Sequence, residues 1–537
     1  MADLNMSNQD MSHQGRTGRT TVKPGEARAI SVSGRLGGWL SLSFILLIVV
    51  AMGLSGGFAL NEGLTRFTLP FTSDDATQQI TRDVEAMRAA PSAEAIGAIS
   101  RELQALAQLT SVERFAASGL PAHGIHYTVM PKANQVLMLV HILFGAFCML
   151  LGGLQFWPGF RTRYRQAHRR IGMIYVLTVP VSVLTVLVYM VLTPPHHIYA
   201  HLVAWVALWI FGVLALVAIA MAMRALKARR IFEHQAWMAL SFGCLMVAPL
   251  LRLDWVLLAW GFPAIDQETL NLVTVGMMLP QTLLITYGLI LVNRQYARPM
   301  TQRAPAAVAA PATRLFLRAR PVFYALALLL LGVNLAFYVA GTGMSSLDAS
   351  TAMVPSALRL REQAVLVAHP LVSVLFALSL SLAFPAVVHT LSRLLQPAES
   401  AALDAVGRAA PWLTLVAGIT SCLIGREIGL VPNLEQLSGG TLYMVNGLVL
   451  SGFSLFFLGA QRVGQIALMK ECLVFLLCLL PFPALFFLGL QVMSWLPLPA
   501  DYLAAGQGFV LPVGVSAALL FAALFYVIHG QATREHN

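Results

Sequence analysis

Charge is what this 537-residue chain has least of: 11% of its residues are Asp, Glu, Lys or Arg, against about 25% in soluble domains. Hydrophobic residues make up 58%, far more than a soluble fold can hide, so a soluble protein is excluded. Cysteine is scarce as well. Cys148, Cys244, Cys422, Cys472 and Cys478 are odd in number, lie inside apolar segments and form no C-x-x-C pair. That excludes a disulfide or zinc framework and leaves them as small core residues. Acid is in deficit, with a net charge of +11. No nucleic-acid partner follows from this excess, because membrane topology distributes the positive residues.

What is present is a series of long apolar runs. Twelve spans are expected, at approximately 37–58, 134–156, 169–193, 198–222, 235–258, 271–292, 321–340, 364–391, 411–429, 440–460, 471–493 and 507–529. Each meets the roughly 20 residues that a bilayer core demands. The fold class is therefore all-α and polytopic, with the lipid bilayer as its surroundings. Lysine and arginine give the orientation, since cytoplasmic flanks retain them. With both termini inside, the inner segments hold 25 of the 35: five in the N-terminal tail, five, four, six, two and two in successive loops, and one in the C-terminal tail. A multi-pass protein of the cell's inner (plasma) membrane is expected.

The division along the chain follows. Residues 1–36 read as a cytoplasmic tail and 37–60 as a first anchor that is retained. Residues 61–132 read as an outer, periplasmic loop, in which Asp74–Arg114 predicts one or two amphipathic helices. A histidine-bearing domain over 133–296 is joined by a Pro-, Ala- and Arg-rich cytoplasmic linker, 297–320, to a second six-helix domain over 321–530. Faint echoes connect the halves: Gln135-Val-Leu-Met-Leu-Val-His141 with Gln363-Ala-Val-Leu-Val-Ala-His369, and Tyr199-Ala-His201 with Tyr443-Met-Val-Asn446. Duplication accounts for them, and so does the chance likeness of apolar helices.

The pattern that carries chemistry is a set of four histidines. His141, His168, His201 and His234 are spaced 27, 33 and 33 residues apart, about one membrane crossing each. Successive crossings reverse direction, so His141 and His201 fall in an outer layer, and His168 and His234 in an inner one. His141 would lie roughly 9 Å deep, and the two layers roughly 20–25 Å apart. In an up-down four-helix bundle the parallel members are diagonal, which is where two b-type haems would each find two axial histidines. Gly145 and Gly172, four residues after His141 and His168, offer room on the same faces, whereas Trp205 and Met238 fill the matching places after His201 and His234. Arg163, Arg165, Arg169, Arg170, Arg229 and Arg230 are inner candidates for propionates, and Arg252, His196 and His197 outer ones. Any redox chemistry is expected within 133–258. The bland alternative is that the histidines are interfacial and the arginines reflect topology alone.

Two resemblances attach to these residues. His141 with Gly152-Gly153-Leu154-Gln155-Phe156, His168-Arg169-Arg170-Ile171-Gly172 with Tyr175, and His234-Gln235-Ala236-Trp237-Met238 with Arg252 resemble an uncharacterised bacterial membrane family, a domain of unknown function, over residues 133–292. One histidine per helix, two per layer, is similar to the transmembrane di-haem b cytochromes. That likeness implies haem iron ligation by His141 with His201 and by His168 with His234, and electron transfer across the membrane; a quinone or small redox molecule would suit such transfer as partner, but no residue marks a site for donor or acceptor.

Other polar residues have blander readings. Arg252 with Asp254, and Arg426 with Glu427, read as interfacial pairs that neutralise each other or a headgroup. His369 and His389 stand at opposite ends of one helix, and His123-x-x-His126 is a weak metal signal. Two further functional classes stay open. Twelve spans around a basic central loop also outline a major-facilitator-like solute transporter. Its second-to-third loop usually bears an acid, which Gly159-Phe-Arg-Thr-Arg-Tyr-Arg-Gln-Ala-His168-Arg-Arg-Ile-Gly172 lacks. A cofactor-free membrane scaffold is the other class.

Overall fold

The computed structural model describes residues 26–198, 201–295, 310–346, 354, 356–396, 403–429, 439–499 and 510–532, and among these it is helical, with no strand. Two compact units divide at Leu47 and Ile48. The first holds the start of α1 (Glu26–Leu64). In the second, α2 (Leu69–Thr72) precedes five short helices: α3 (Ala76–Ala89), α4 (Ala93–Ile99), α5 (Arg101–Leu109), α6 (Val112–Ala117) and α7 (Leu120–Val129). The periodicity predicts one or two helices here, and three serines divide the stretch further. Ser92, Ser100 and Ser111 each accept a hydrogen bond from the backbone N–H three residues on, at 3.1, 3.2 and 3.2 Å. Each hydroxyl satisfies an orphan donor and so starts a new helix.

The apolar helices come next: α8 (Lys132–Gln155), the short α9 (Pro158–Arg163), α10 (Arg165–Leu192), α11 (His201–Lys227), α12 (Ile231–Leu245), α13 (Val247–Gly261) and α14 (Gln267–Gln295). α15 (Ala310–Asn334) closes in a π turn, Leu335–Val339. Then follow α16 (Ser356–Ala368), α17 (Pro370–Leu395), α18 (Ala405–Ile428), α19 (Gly439–Arg462), α20 (Ile466–Leu479), α21 (Phe482–Ser494) and α22 (Val510–Ala532). Ten stretches among the described residues are long and apolar enough to cross a membrane, with α20 and α21 sharing one of them. α12 and α13 are together apolar and long enough for another, as a pair bent by 50°, and Ala517–Gly530 is a shorter apolar helix. These correspond to the twelve runs of the sequence. The protein is a multi-pass membrane protein.

The bend has a local cause. Pro249 has no N–H to donate to the carbonyl of Leu245, and a proline ring is not accommodated against the carbonyl four residues before it in a straight helix. The ladder is resumed by Leu250, whose N–H reaches Met246 at 3.0 Å. Elsewhere small residues set the packing. α18 and α19 meet backbone to backbone at Gly418, Gly425, Gly440 and Gly447, where an added Cβ would strike backbone of the facing helix. Membrane helices associate through such surfaces because lipid gives them no hydrophobic drive to pair.

α14 is the hub of the second unit, packed against α11, α12, α13, α19 and α22. It buries Asn271, Thr274, Thr282, Thr286 and Asn293 and contains Pro280. Its far end is tied to α20 by a two-pronged ion pair, Arg294 Nη1 and Nη2 to Glu471 Oε2 and Oε1, each at 2.7 Å. Tyr287 donates to Glu471 Oε2 at 3.0 Å. At the opposite end the short helices lie on the α13–α14 junction. Arg252 pairs with Glu102 at 3.0 Å, Trp260 donates to Leu109 O at 2.7 Å, and Gly119 N donates to Glu268 at 2.8 Å.

Candidate functional site

His141 Nδ1 lies 2.9 Å from the backbone oxygen of Ser182 on α10, and the Ser182 hydroxyl donates to His141 O at 3.0 Å. His234 Nδ1 lies 2.9 Å from Ala222 O on α11. A carbonyl only accepts, so each ring carries its proton on Nδ1 and keeps a lone pair on Nε2. His168 Nδ1 is buried without a hydrogen-bond partner, and His168 has Arg161, His234 and Arg169 as its electrostatic neighbours. The His168 and His234 rings thus share one region. The side chain of His201, like that of His196, lies outside the described residues, and with it the pairing of His141 with His201.

Whether these helices suit a macrocycle can be judged from their glycines. A Cβ on Gly145 would lie 3.3 Å from Ser182 Oγ, and one on Gly172 would lie 3.2 Å from Gln155 Oε1. On Gly152 it would meet Phe242 at 2.9 Å and Tyr175 at 3.1 Å. Tyr175 and Phe242 are buried, and the Tyr175 hydroxyl is 3.4 Å from that of Ser241. Side chains, not an open slot, stand beside these glycines. These glycines are therefore not where a flat macrocycle would find room.

The arginines divide. Arg163, Arg165, Arg169, Arg170 and Arg229 are exposed, and Arg163 lies over the ring of Tyr164. Arg230 is bound to the buried carboxylate of Glu233 at 2.8 Å, and His529 of α22 lies 3.8 Å from the same carboxylate. The arginine that turns inward is Arg161, which donates to Asn293 Oδ1 at 2.9 Å. Arg252 is taken by Glu102. Asp254, read as its partner, instead accepts two contacts from Gln281 Nε2, at 2.7 and 3.0 Å. His389 binds Asp404 at 2.8 Å, His369 is exposed at the head of α17, and His126 stacks on His197 with centroids 4.0 Å apart. Among the described residues no group of three His, Cys, Asp or Glu side chains is placed to hold a metal.

A second constellation, absent from the sequence reading as a site, lies where α15, α16, α19 and α21 meet. Glu362 is 0% exposed. Its Oε1 accepts from the Tyr443 hydroxyl at 2.7 Å, and its Oε2 accepts from the backbone N–H of Met344 at 2.6 Å. Tyr338 brings its hydroxyl to within 3.4 Å of that of Tyr443. The π turn aims Tyr338 inward, since the extra residue rotates the last turn, and such turns recur at functional sites. Gly343 adopts φ +49°, and a Cβ there would lie 2.5 Å from Glu362 Oε2. Only glycine allows both the left-handed backbone and this close approach. Burial pushes the Glu362 carboxyl up to about 7, although the bonds from Met344 and Tyr443 pull the other way.

These groups open on a cavity. A small recess is lined by Tyr338, Glu362, Tyr443, Asn446, Phe482 and Phe487 among others. It shares Leu442, Asn446 and Phe482 with a larger, partly open space between α14, α19, α20 and α22. The larger wall is apolar but for Thr441, Asn446 and Cys478, and includes Leu279, Pro280, Leu283, Val449, Phe453 and Phe475. Asn446 is 6% exposed, and neither atom of its amide has a hydrogen-bond partner. In the sequence Tyr443 and Asn446 stand out only as an echo of Tyr199 and His201. An unpaired amide is a property of surroundings, which no single string displays.

The fold and its polar interior define an integral membrane protein. Within it, residues 138–289 match the model of a family described as "Predicted membrane protein (DUF2306)", the kind of uncharacterised membrane family that the motifs had indicated over 133–292. That stretch runs from α8 into α14, while the cavity is lined chiefly from the other half. No curated protein matches the chain, and no solved structure matches it.

Proposed function

We propose that this integral membrane protein binds, within the bilayer, a hydrocarbon-rich molecule bearing a single hydroxyl or carbonyl head. One observation carries the reading: the Asn446 amide, buried at the edge of an apolar cavity with both its donor and its acceptor unused. Leaving such a group buried and unpaired costs about 1–3 kcal/mol. A ligand whose head hydrogen-bonds Asn446 recovers that cost, while its tail occupies the apolar wall. Ligand sites commonly have this composition, mostly apolar with few convergent polar groups. Binding of this kind is the step that a carrier for apolar solutes would need, so the transporter outline of the sequence fits it.

The probe is a diazirine-bearing analogue of 1-dodecanol, applied to the full chain in nanodiscs. Photolabelling is expected within Leu442–Phe453 and Phe475–Phe482. It should be displaced by 1-dodecanol, not by dodecane, and weakened about tenfold by Asn446→Leu, the value of roughly 1.4 kcal/mol of lost hydrogen bonding. Equal displacement by dodecane, or labelling unaffected by Asn446→Leu, would overturn the reading.

A second reading, electron transfer through bis-histidine haem b, draws support from the Nδ1 bonds of His141 and His234 alone. A backbone acceptor on Nδ1 is how ligand histidines are commonly oriented, with Nε2 left for a metal. Its test is the visible spectrum of the purified protein. Low-spin haem bands lost on His168→Ala or His234→Ala would sustain it, and a colourless protein with haem supplied during expression would remove it.

A further inference from the structure

Glu362 has an unusual set of neighbours for a carboxylate. The ionisable groups on the elements around it are Arg359 and Arg361 on its own helix, Arg314, Arg318, Arg320 and Tyr324 on α15, Tyr338 in the π turn, Tyr443 and Arg462 on α19, His369, His389 and Arg393 on α17, and Arg408, Cys422, Arg426 and Glu427 on α18. Only the two tyrosines enter its hydrogen-bond network, and no ion pair forms with it among the described residues. A bare carboxylate in such a place is costly. The neutral acid is accommodated by the same atoms.

The two phenols make both forms possible without any movement of heavy atoms. When Glu362 is ionised, Tyr338 O–H donates to Tyr443 O, and Tyr443 O–H donates to Glu362 Oε1. When Glu362 is protonated on Oε1, its own O–H donates to Tyr443 O, and Tyr443 O–H turns to Tyr338 O. The Met344 N–H serves Oε2 in both. One proton is gained or lost at the carboxyl, and the chain of hydroxyls reverses. This geometry lies on the recess that also contains Asn446.

We infer that Glu362 is a proton-binding group coupled to the ligand cavity, so that an apolar ligand seated at Asn446 and a proton on Glu362 favour one another. The inference rests on the ligand reading above. Its direction follows from solvation: a hydrocarbon ligand beside the recess excludes water and disfavours the carboxylate further. By linkage the protonated protein then binds the ligand more tightly, by the same factor. The raised affinity of Glu362 for a proton, with a midpoint near neutrality, places this coupling in a range that cells use.

Two measurements on the full chain in nanodiscs separate the parts. The first is infrared difference spectroscopy between about pH 5.5 and about pH 8.5. A carboxylic-acid carbonyl band should disappear as pH rises. Glu362→Gln should abolish that band, and Tyr443→Phe should shift its frequency by removing one hydrogen bond. The second is photolabelling by the dodecanol probe, which should be about fivefold or more stronger at the lower pH. In Glu362→Gln, a stand-in for the neutral acid, it should be independent of pH and stay at the strong level. If no titrating band depends on Glu362, the proton site is wrong. A titrating band with pH-independent labelling overturns the coupling and leaves the ligand reading intact. A titrating band with no displaceable labelling at either pH removes the ligand reading and the coupling together. Tyr443→Phe supplies the infrared test if Glu362→Gln fails to fold.

Discussion

Asp404 shows how much one side chain outside the spans can hold. It caps α18 by accepting from Gly407 N at 2.8 Å, and it takes His389 Nε2 at 2.8 Å and Arg393 Nη1 at 2.7 Å. The His389 contact first, then the Gly407 N–H and Arg393, hold its carboxyl well below the usual carboxylate range. A depressed folded pKa contributes stability that is present above the unfolded value of about 3.9 and lost as pH falls through the folded one. Asp404→Ala is expected to cost about 1 kcal/mol at neutral pH, modest because the group is partly exposed. It should also flatten part of the acid limb of thermal unfolding measured in detergent. An unfolding profile identical to that of the parent protein at every pH would show that the cap carries nothing. Sequence gave His389 an interfacial reading, because its partner stands across a turn, 15 residues away. Glu362 and Tyr443 are 81 residues apart, and no local pattern links them.

Helices were the most legible level. Hydrophobic runs of bilayer length appear in the string itself, and each corresponds to one helix or to two consecutive helices. What the string withholds is which glycines matter. Gly447 would bring a Cβ to 2.5 Å from Gly418 O and 2.7 Å from Cys422 Sγ, whereas Gly452 on the same helix meets nothing within 4 Å. Gly447→Leu should therefore destabilise the protein by about 3 kcal/mol, since backbone cannot move aside. Gly452→Ala should stay within about 0.5 kcal/mol. Denaturant unfolding in mixed micelles compares the two, and equal effects would mean that α18 and α19 do not need their close approach. Gly145 and Gly172, considered as room for a cofactor, face side-chain oxygens of Ser182 and Gln155 instead, with no backbone approach of this kind.

At the scale of the whole molecule, the halves are joined through the interior. Arg294 of α14 and Glu471 of α20 form a buried ion pair completed by Tyr287. Removing one partner leaves an uncompensated charge, so Arg294→Met should cost about 3–5 kcal/mol, while Arg294→Met with Glu471→Met should recover most of it. Thermal unfolding of the single and double variants measures this, and additive losses in the double variant would show that the two side chains act separately. The Pro-, Ala- and Arg-rich segment at 297–320 had suggested a division between halves. That ion pair and the cavity between α14, α19, α20 and α22 show cooperation across it.

The sequence by itself determined the class, the apolar runs of bilayer length and a resemblance to an uncharacterised membrane family over residues 133–292, of which 138–289 match a family model. Those properties are local sums: hydropathy over 20 residues, or motif spacing within one helix. Tertiary structure decided which polar groups are paired. It gave Arg252 to Glu102, Asp254 to Gln281 and Arg230 to Glu233, and it left Asn446 without a partner beside an apolar cavity. The cost of a buried amide or carboxyl depends on which side chains surround it in space. In a helical membrane protein those neighbours come from helices far apart in the chain, so that cost is fixed only when the helices pack.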